Sequence, residues 1–561
     1  MRTLRWQILI AVGGLILVVG LLIGQAPSGP DVAPQPVKGG AYVEGLIGHI
    51  VRLNPLLDFS NQVDRDIDRI LYRGLVQFDS QGLPQPDLAE GWTVSADATL
   101  YTFTLRADAR WQDGISVTSD DVVFTFSEIQ DDDFPGPADL HELWKGINII
   151  RLDDRTVQFQ LSEPFAPFLD YVAQGLLPDH LLRGAQVEDL IDHPFNLEPV
   201  GTGAFRFDRF LVNGSDIIGV SLVPWEEFYG DRPYLERVEF RTYPDEAAAL
   251  SAYQSGEVAG ISRLEGDVLQ QALALPSLDV YAARIPRAGI VFLNLKNPEK
   301  AFMADKQVRQ ALLMATNRQW LIDSILGGQA IPATGPILPG TWAYSSTLEP
   351  WPFDPVRAAQ VLEDRGYVLP VGATPGTPEY VRAKEEERLE FTLVFPDEAP
   401  YDEMAGLLRQ NWAAIGVQVE LKPVPPDEVL TDYLEKREFE AALTELDLSP
   451  YPDPDPYPFW HDTQIEGGQN YGGFDDRNSS IWLERARTIS DAGRRAEFYQ
   501  SFQHRFRDQV PALVLYYRVY SYGLDAALQG VSVGPLNDPS DRLRGLASWY
   551  LVARREAAPA P

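Results

Sequence analysis

Apolar and polar residues alternate in several short stretches of the chain. This pattern is typical of strands with one buried face, and it predicts strands over 100–106 and 157–161. Residues 41–43 open an earlier strand. Two more strands, 389–395 and 417–421, flank a predicted helix at 404–414.

Other stretches carry apolar residues three and four positions apart, which is typical of amphipathic helices. Residues 63–78 have this spacing. Residues 308–325 have it too and predict one helix, ended by the glycine pair that follows. Thr118, followed by Asp120 and Asp121, predicts a helix start with a hydroxyl cap and an acidic first turn. Because strands and helices interleave throughout, the predicted fold class is mixed α/β.

The amino terminus has the pattern of an export segment. Arg2 and Arg5 precede an apolar run over 8–23, and a Pro- and Gly-rich stretch follows it. Those 16 residues would span about 24 Å as a helix, and residues 6–7 bring the length close to a membrane core of about 30 Å. We predict a signal anchor over 1–23 and a tether over 24–40, with a cleaved signal peptide as the alternative. Either places the body outside the cytoplasm, tethered in the first case by residues 6–23.

Composition narrows the class of protein. The 561 residues are enough for three or four domains, and a 45% apolar content is that of a globular protein. A net charge of −34 would repel phosphate backbones, so nucleic acid is not an expected partner. The chain has no cysteine, which excludes disulfides and thiolate metal sites, and its six histidines are scattered. The sequence therefore predicts no metal and no cofactor.

An ordered series of short motifs runs through residues 41–550. The motifs are Asn54-Pro55-Leu56, Leu71-Tyr72-Arg73-Gly74-Leu75, Pro86-Asp87-Leu88-Ala89-Glu90-Gly91-Trp92, Trp111-Gln112-Asp113-Gly114, Thr118-Ser119-Asp120-Asp121-Val122-Val123-Phe124, Gly201-Thr202-Gly203-Ala204-Phe205, Ser255-Gly256-Glu257-Val258 and Val308-Arg309-Gln310-Ala311-Leu312. In this order they resemble the extracellular solute-binding protein family 5, the oligopeptide, dipeptide and nickel binders of ABC importers. Most of these residues are expected to be scaffold: Gly114 permits a tight turn, and Gly201 and Gly203 permit close backbone approach.

The resemblance implies a two-lobed periplasmic-binding-protein-like fold of the large three-domain type. Domain I would combine 41–79, 195–284 and 527–556, domain II would span 80–194, and domain III would span 285–526. The crossings at 283–287 and 520–528 would act as hinges. It also implies a monomeric binding protein, not an enzyme, that closes on a peptide or small-molecule ligand and passes it to ABC transporter permease subunits.

Residues 444–460 resemble the family's cleft segment, in which peptide binders carry an aspartate that pairs with the ligand's α-ammonium. Pro450 takes the position of that aspartate, so Asp447 is the candidate to replace it. A nickel ligand is disfavoured because no histidine falls in the segments assigned to the cleft. The aromatic residues of this segment and the next suit sugar rings or apolar side chains, or pack the loop onto its lobe. The candidate ligand-binding residues are Asp447, Tyr451, Asp453, Trp460, Asn470 and Tyr471.

Three other functions stay open from the sequence. An oligosaccharide-binding member of the same family would use the aromatic loop. An extracellular hydrolase would use two of the many carboxylates, although no Gly-x-Ser-x-Gly elbow or metal-binding helix supports it. A sensor domain could use the same cleft without an importer.

Overall fold

A computed structural model of the protein describes residues 36–448 and 451–552. The predicted anchor, most of the tether and Pro450 lie outside these residues. Within the described ranges, no helix has both the length and the apolar character required to cross a membrane.

The described residues form a mixed α/β fold, as predicted. Its strands are β1 (Ala41–Ile47), β2 (Val76–Phe78), β3 (Pro84–Pro86), β4 (Ala89–Val94), β5 (Leu100–Leu105), β6 (Ile147–Arg151), β7 (Thr156–Leu161), β8 (Phe205–Asn213), β9 (Asp216–Pro224), β10 (Arg237–Tyr243), β11 (Gly260–Ile261), β12 (Leu278–Leu293), β13 (Ala330–Pro332), β14 (Ala383–Lys384), β15 (Glu387–Arg388), β16 (Glu390–Pro396), β17 (Gln418–Val424), β18 (Ala441–Asp447), β19 (Ala512–Asp525), β20 (Leu528–Gln529) and β21 (Tyr550–Leu551).

Helices cover the sheets and fill the connections between strands. They are α1 (Gln62–Leu71), α2 (Ser119–Gln130), α3 (Ala138–Lys145), α4 (Phe168–Tyr171), α5 (Asp179–Leu182), α6 (Glu246–Ser255), α7 (Gly266–Leu273), α8 (Lys306–Ala315), α9 (Arg318–Ser324), α10 (Pro355–Asp364), α11 (Tyr401–Ala414), α12 (Pro426–Glu428), α13 (Tyr457–Trp460), α14 (Arg477–Thr488) and α15 (Ala492–Gln509). Short 3-10 or π turns lie at Val187–Asp192, Pro194–Leu197, Pro298–Ala304, Val429–Leu434, Asp462–Gln464, Pro539–Leu543 and Leu546–Ser548.

The predicted helix start at Thr118 is confirmed. The Thr118 hydroxyl accepts a hydrogen bond from the main-chain N–H of Asp120, and the Asp121 carboxylate accepts one from the Thr118 N–H. This reciprocal capping box satisfies donors that a helix N-terminus leaves free. The predicted strands at 100–106, 157–161, 389–395 and 417–421 are also present, as β5, β7, β16 and β17.

Two helix predictions were wrong in extent. The helix predicted over 63–78 ends at Leu71, where the main-chain N–H groups of Thr202 and Gly203 donate to the Leu71 carbonyl from a distant loop. The single helix predicted over 308–325 is two helices, α8 and α9, because Asn317 caps a new helix by accepting from the Trp320 N–H.

One eleven-stranded sheet runs through the molecule. Its order is β17-β16-β18-β12-β19-β11-β1-β10-β9-β8, with β13 also paired to β19, and a separate four-stranded sheet has the order β4-β5-β7-β6. The long strands β12 and β19 pair antiparallel along most of their length. One of the two breaks in their register lies between Arg284, which faces Val519, and Ala288, which faces Tyr517.

The buried cores divide at that break in register. Two cores contain only residues from 42–285 and 520–551, and the two others contain only residues from 288–517. We call the corresponding parts of the described chain the first lobe (36–285 and 520–552) and the second lobe (288–517). Only β12 and β19 carry their sheet from one lobe to the other.

Candidate functional site

Two cavities lie between the lobes, and we call them together the interlobe cleft. The larger has a volume of about 770 Å³ and the smaller about 460 Å³. Both are lined by Arg65, Asn537 and Asp538 from the first lobe and by Asp447 from the second. Since both lobes supply walls, any movement of one lobe against the other changes the space available to a ligand.

The second-lobe wall is the carboxyl end of β18. Asp447 is the last residue of this strand, is exposed and pairs in register with Arg287, beside the break in β12. Two residues earlier, the Glu445 carboxylate accepts hydrogen bonds from the Tyr516 hydroxyl at 2.8 Å and from Arg518 Nε at 2.5 Å. The strand therefore places a braced carboxylate and an exposed one side by side in the cleft.

Tyr451 reaches across to the first lobe. It lines the smaller cavity, and its ring centroid lies 4.6 Å from that of Tyr171 in α4. The main-chain N–H of Asp453 donates to the Asp170 carboxylate at 2.8 Å in the same place. Burial raises the pKa of the Tyr451 hydroxyl, so this ring is a neutral aromatic surface at physiological pH.

Asp453 itself is a structural brace in this arrangement. Its carboxylate forms an ion pair with Arg495 at 2.5 Å and accepts from the Tyr499 hydroxyl at 3.3 Å. All three side chains are buried. The carboxylate holds the loop at 451–456 against α15 and is not presented to the cleft.

Three further candidates are also packed inside the second lobe. Trp460 is 2% exposed and stacks on Phe292. Asn470 is fully buried, donates to the carbonyls of His461 and Phe474 and fixes its loop. Tyr471 packs edge-on against Phe292 and lines a different cavity of about 580 Å³ on the second lobe. The cleft thus brings together Asp447 and Tyr451, and the other four candidates lie elsewhere.

The first-lobe wall contains charged residues that the sequence analysis did not single out. Helix α1 presents Arg65 and Arg69 to the turn at 537–541, where they form ion pairs with Asp538 at 2.8 Å and with Asp541 at 2.5 Å. The repeated Asp and Arg of residues 64–69 were a visible signal. The ion pairs of Arg65 and Arg69, however, depend on a loop about 470 positions later, which no local pattern shows.

Asp58 and Asp68 on this wall have raised pKa values, as does Asp170. Burial raises the pKa of Asp58 to about 7, against the opposing charge of Arg65. Burial also raises the pKa of Asp68 well above its ordinary value, and the charges of Asp58 and Asp64 add to this. The main-chain N–H of Asn54 opposes the Asp68 shift only weakly. Both acids line the smaller cavity.

Metal chemistry has no visible support in the cleft. Within residues 36–448 and 451–552, no group of three or more histidine, aspartate and glutamate side chains has an arrangement that could hold a metal ion.

Residues 84–467 match the family described as bacterial extracellular solute-binding proteins, family 5, middle region. The chain is 24% identical to the oligopeptide-binding protein AppA of Bacillus subtilis (strain 168), over 93% of each chain. It is 25% identical to the dipeptide-binding protein of Escherichia coli (strain K12), over 86% of this chain and 90% of the relative. The solved structure of B. subtilis AppA with a nonapeptide has the same fold, with a TM-score of 0.64 and 23% identity, covering 92% of this chain and all of the other.

Proposed function

The chain belongs to the bacterial extracellular solute-binding proteins of family 5, and we propose that it captures a peptide or a similar elongated solute for an ABC importer. The observation that carries this proposal is the interlobe cleft, which is lined from both lobes and consists of two cavities of about 770 Å³ and 460 Å³ with shared lining residues. Relatives that match nearly the whole chain are named for oligopeptide and dipeptide binding. No chemistry on the solute is proposed.

Capture works by closure of the lobes. A ligand that contacts both walls stabilises the closed form over the open one by its differential affinity. The crossings between the lobes are the break in β12 at 284–288 and the facing segment of β19 at 517–519. We propose these as the hinge, so that the crossing in β19 lies at 517–519, just before the expected 520–528. The three-domain division at 41–79, 195–284 and 527–556, 80–194, and 285–526 stays a prediction.

Asp447 and Tyr451 are the proposed ligand contacts of the second lobe. Asp447 is an exposed acceptor for a peptide ammonium or main-chain N–H, and Tyr451 offers a neutral ring to an apolar side chain. Asp453, Trp460, Asn470 and Tyr471 then act indirectly, by holding the loops that carry these two.

The setting of the protein follows from the same proposal. The body is extracytoplasmic and monomeric and is held at the membrane by residues 6–23, or released if that segment is cleaved. Its closed form docks on ABC transporter permease subunits, which take over the solute.

Thermal unfolding of residues 41–561 with a panel of short peptides and oligosaccharides tests this function. Ligand at a hundredfold its dissociation constant stabilises by about 2.7 kcal/mol, which raises the unfolding temperature measurably. We expect a shift with peptides that Asp447→Asn reduces and that the exposed control Asp402→Asn retains. A shift with oligosaccharides alone would replace peptides by sugars as the solute, and no shift with either would contradict the proposal.

A further inference from the structure

The Asp68 side chain is a buried carboxyl that forms no ion pair within the described residues. It is 2% exposed, and neither carboxylate oxygen accepts a hydrogen bond of ordinary geometry, although the main-chain N–H of Asn54 interacts with it. It lines the smaller cavity of the interlobe cleft together with Asp58, whose side chain is 18% exposed. Asp58 therefore stands towards the open side of the cavity, and Asp68 forms part of its floor.

Such a group is costly in a folded protein. Buried polar atoms are almost always paired, and a buried carboxylate without a cation is strongly destabilising. Its presence at the wall of a ligand cleft has a physical reason if the bound ligand supplies the missing cation.

The neighbouring arginines do not supply it. Arg65 pairs with Asp538 at 2.8 Å, and Arg69 pairs with Asp541 at 2.5 Å. Arg65 Nε comes only within 4.0 Å of the Asp58 carboxylate, and Arg65 Nη2 instead donates to the Asp58 carbonyl at 3.2 Å. The remaining acids of the cavity wall, Asp170 and Asp447, supply no cation either.

Part of the cavity lining is apolar, beside polar residues such as Gln174 and Ser540. The apolar part includes Pro55, Leu56, Phe59, Tyr72 and Phe78. An alkyl chain packs well against such residues while its charged end reaches a carboxylate, which is how lysine and arginine side chains are accommodated in proteins.

We propose that Asp58 and Asp68 form a cation subsite of the cleft, which receives an alkylammonium or guanidinium group of the solute. The subsite lies on the first lobe, opposite Asp447, and it makes the preferred solute one with a positively charged group on an apolar stem. This inference rests on the proposed function, because it assigns the solute class of the same cleft. The charged group is either a side chain or a free amino terminus, and the experiment separates the two.

Calorimetric titration of the wild-type protein at pH 8 with three capped peptides tests the subsite. Acetyl-Ala-Lys-Ala-amide carries only a side-chain cation, and acetyl-Ala-Ala-Ala-amide carries none. Ala-Ala-Ala-amide carries only an α-amino group, about half of which is protonated at this pH, so its affinity is compared after correction for that fraction. We expect at least one cationic peptide to bind ten times more tightly than the uncharged one, and the better of the two identifies the source of the charge. Equal affinity for all three would overturn the subsite and leave the proposed function standing.

Isosteric variants locate the effect. Asp68→Asn and Asp58→Asn are each expected to reduce the preference for the cationic peptide at least fivefold. Asp231→Asn, which removes a charge from an exposed position away from the cleft, should leave it unchanged. A preference that survives both cleft substitutions would overturn the assignment, even if one variant folded poorly.

A fourth probe, 1,5-diaminopentane, separates failure of the subsite from failure of the proposed function. If no peptide binds but this diamine binds and Asp68→Asn weakens its binding at least fivefold, the subsite holds and a peptide solute is excluded. If neither the peptides nor the diamine binds, both proposals are contradicted.

Discussion

Arg542 donates two hydrogen bonds to the Asp66 carboxylate, from Nη1 at 2.9 Å and from Nη2 at 2.6 Å, and both side chains are buried. The same guanidinium also bonds Glu44 in β1. The ion pair joins the turn at Pro539–Leu543 to helix α1 and to the large sheet. It therefore fixes the segment that carries the first-lobe wall of the cleft.

Arg542→Ala is expected to lower the free energy of unfolding by about 3–5 kcal/mol, because it leaves two buried carboxylates without their cation. Urea denaturation measures this. Arg209→Ala, at a pair with Asp208 whose arginine is 53% exposed, serves as the control and should cost less than about 1 kcal/mol. Equal losses in the two variants would contradict the structural role of Arg542.

Gly203 lies against the end of helix α1. A Cβ at this position would lie 1.9 Å from the carbonyl oxygen of Ile70, a distance that no rotamer change relieves. Gly203→Ala should therefore destabilise the protein by about 1–3 kcal/mol or more, as overpacking does.

Gly406 in helix α11 is the matched control, since a Cβ there meets nothing within 4 Å. Gly406→Ala should raise the free energy of unfolding by about 0.5–1 kcal/mol through helix propensity. Thermal unfolding of both variants checks the pair, and a Gly203→Ala protein as stable as wild type would show that α1 and the loop at 201–203 are less closely packed.

The raised pKa of Asp58 predicts a pH dependence of the unliganded protein. Its pKa is about 7 when folded and about 3.9 in an unfolded chain, so between these values the folded state holds a proton that the unfolded state has lost. The contribution of Asp58 to the free energy of unfolding therefore falls as the pH rises from about 4 to 7. Arg65 and Arg69 oppose the shift, whereas Asp64 and Asp538 add to it.

Asp58→Asn removes this loss. The variant should gain stability over wild type as pH rises, by up to about 4 kcal/mol at pH 8. The difference in unfolding free energy between the two proteins, measured from pH 4 to pH 8 without ligand, checks this. A difference that stays constant with pH would contradict the raised pKa.

Asp453→Ala is expected to lower the free energy of unfolding, because Asp453 braces a loop and does not contact the ligand directly. Removing the carboxylate leaves Arg495 buried without its partner, which should cost about 3–5 kcal/mol. Denaturation midpoints measure the loss. A variant that keeps wild-type stability and loses ligand affinity would instead make Asp453 a direct ligand contact.

Local sequence patterns correctly predicted those helices and strands that are determined by residues close to each other in the sequence. The capping box at Thr118 and the alternating strands β5 and β7 depend on neighbouring residues, and they formed as predicted. The end of α1 at Leu71 was missed because the N–H groups that take over its last carbonyl come from residues 202–203.

The same distinction applies to the site. The family resemblance identified the segment that carries Asp447 and Tyr451, but not which of its residues face the cleft. Trp460 has a flat aromatic side chain that could stack on a ligand, but it packs on Phe292 instead. This orientation depends on the fold of the second lobe, which the local sequence does not show. Asp68 was not singled out because its isolation results from packing between α1 and the rest of the first lobe.

The absence of cysteine allows the central claim, capture by closure of the two lobes, to be measured directly. Glu142→Cys on the first lobe and Val356→Cys on the second are exposed positions for spin labels. Pulsed electron paramagnetic resonance then measures the distance between the two labels, and so between the lobes. The account predicts that saturation with a peptide that raises the unfolding temperature shifts the distance distribution to one narrower population. A distribution that stays unchanged with that peptide bound would contradict closure of the lobes around the solute.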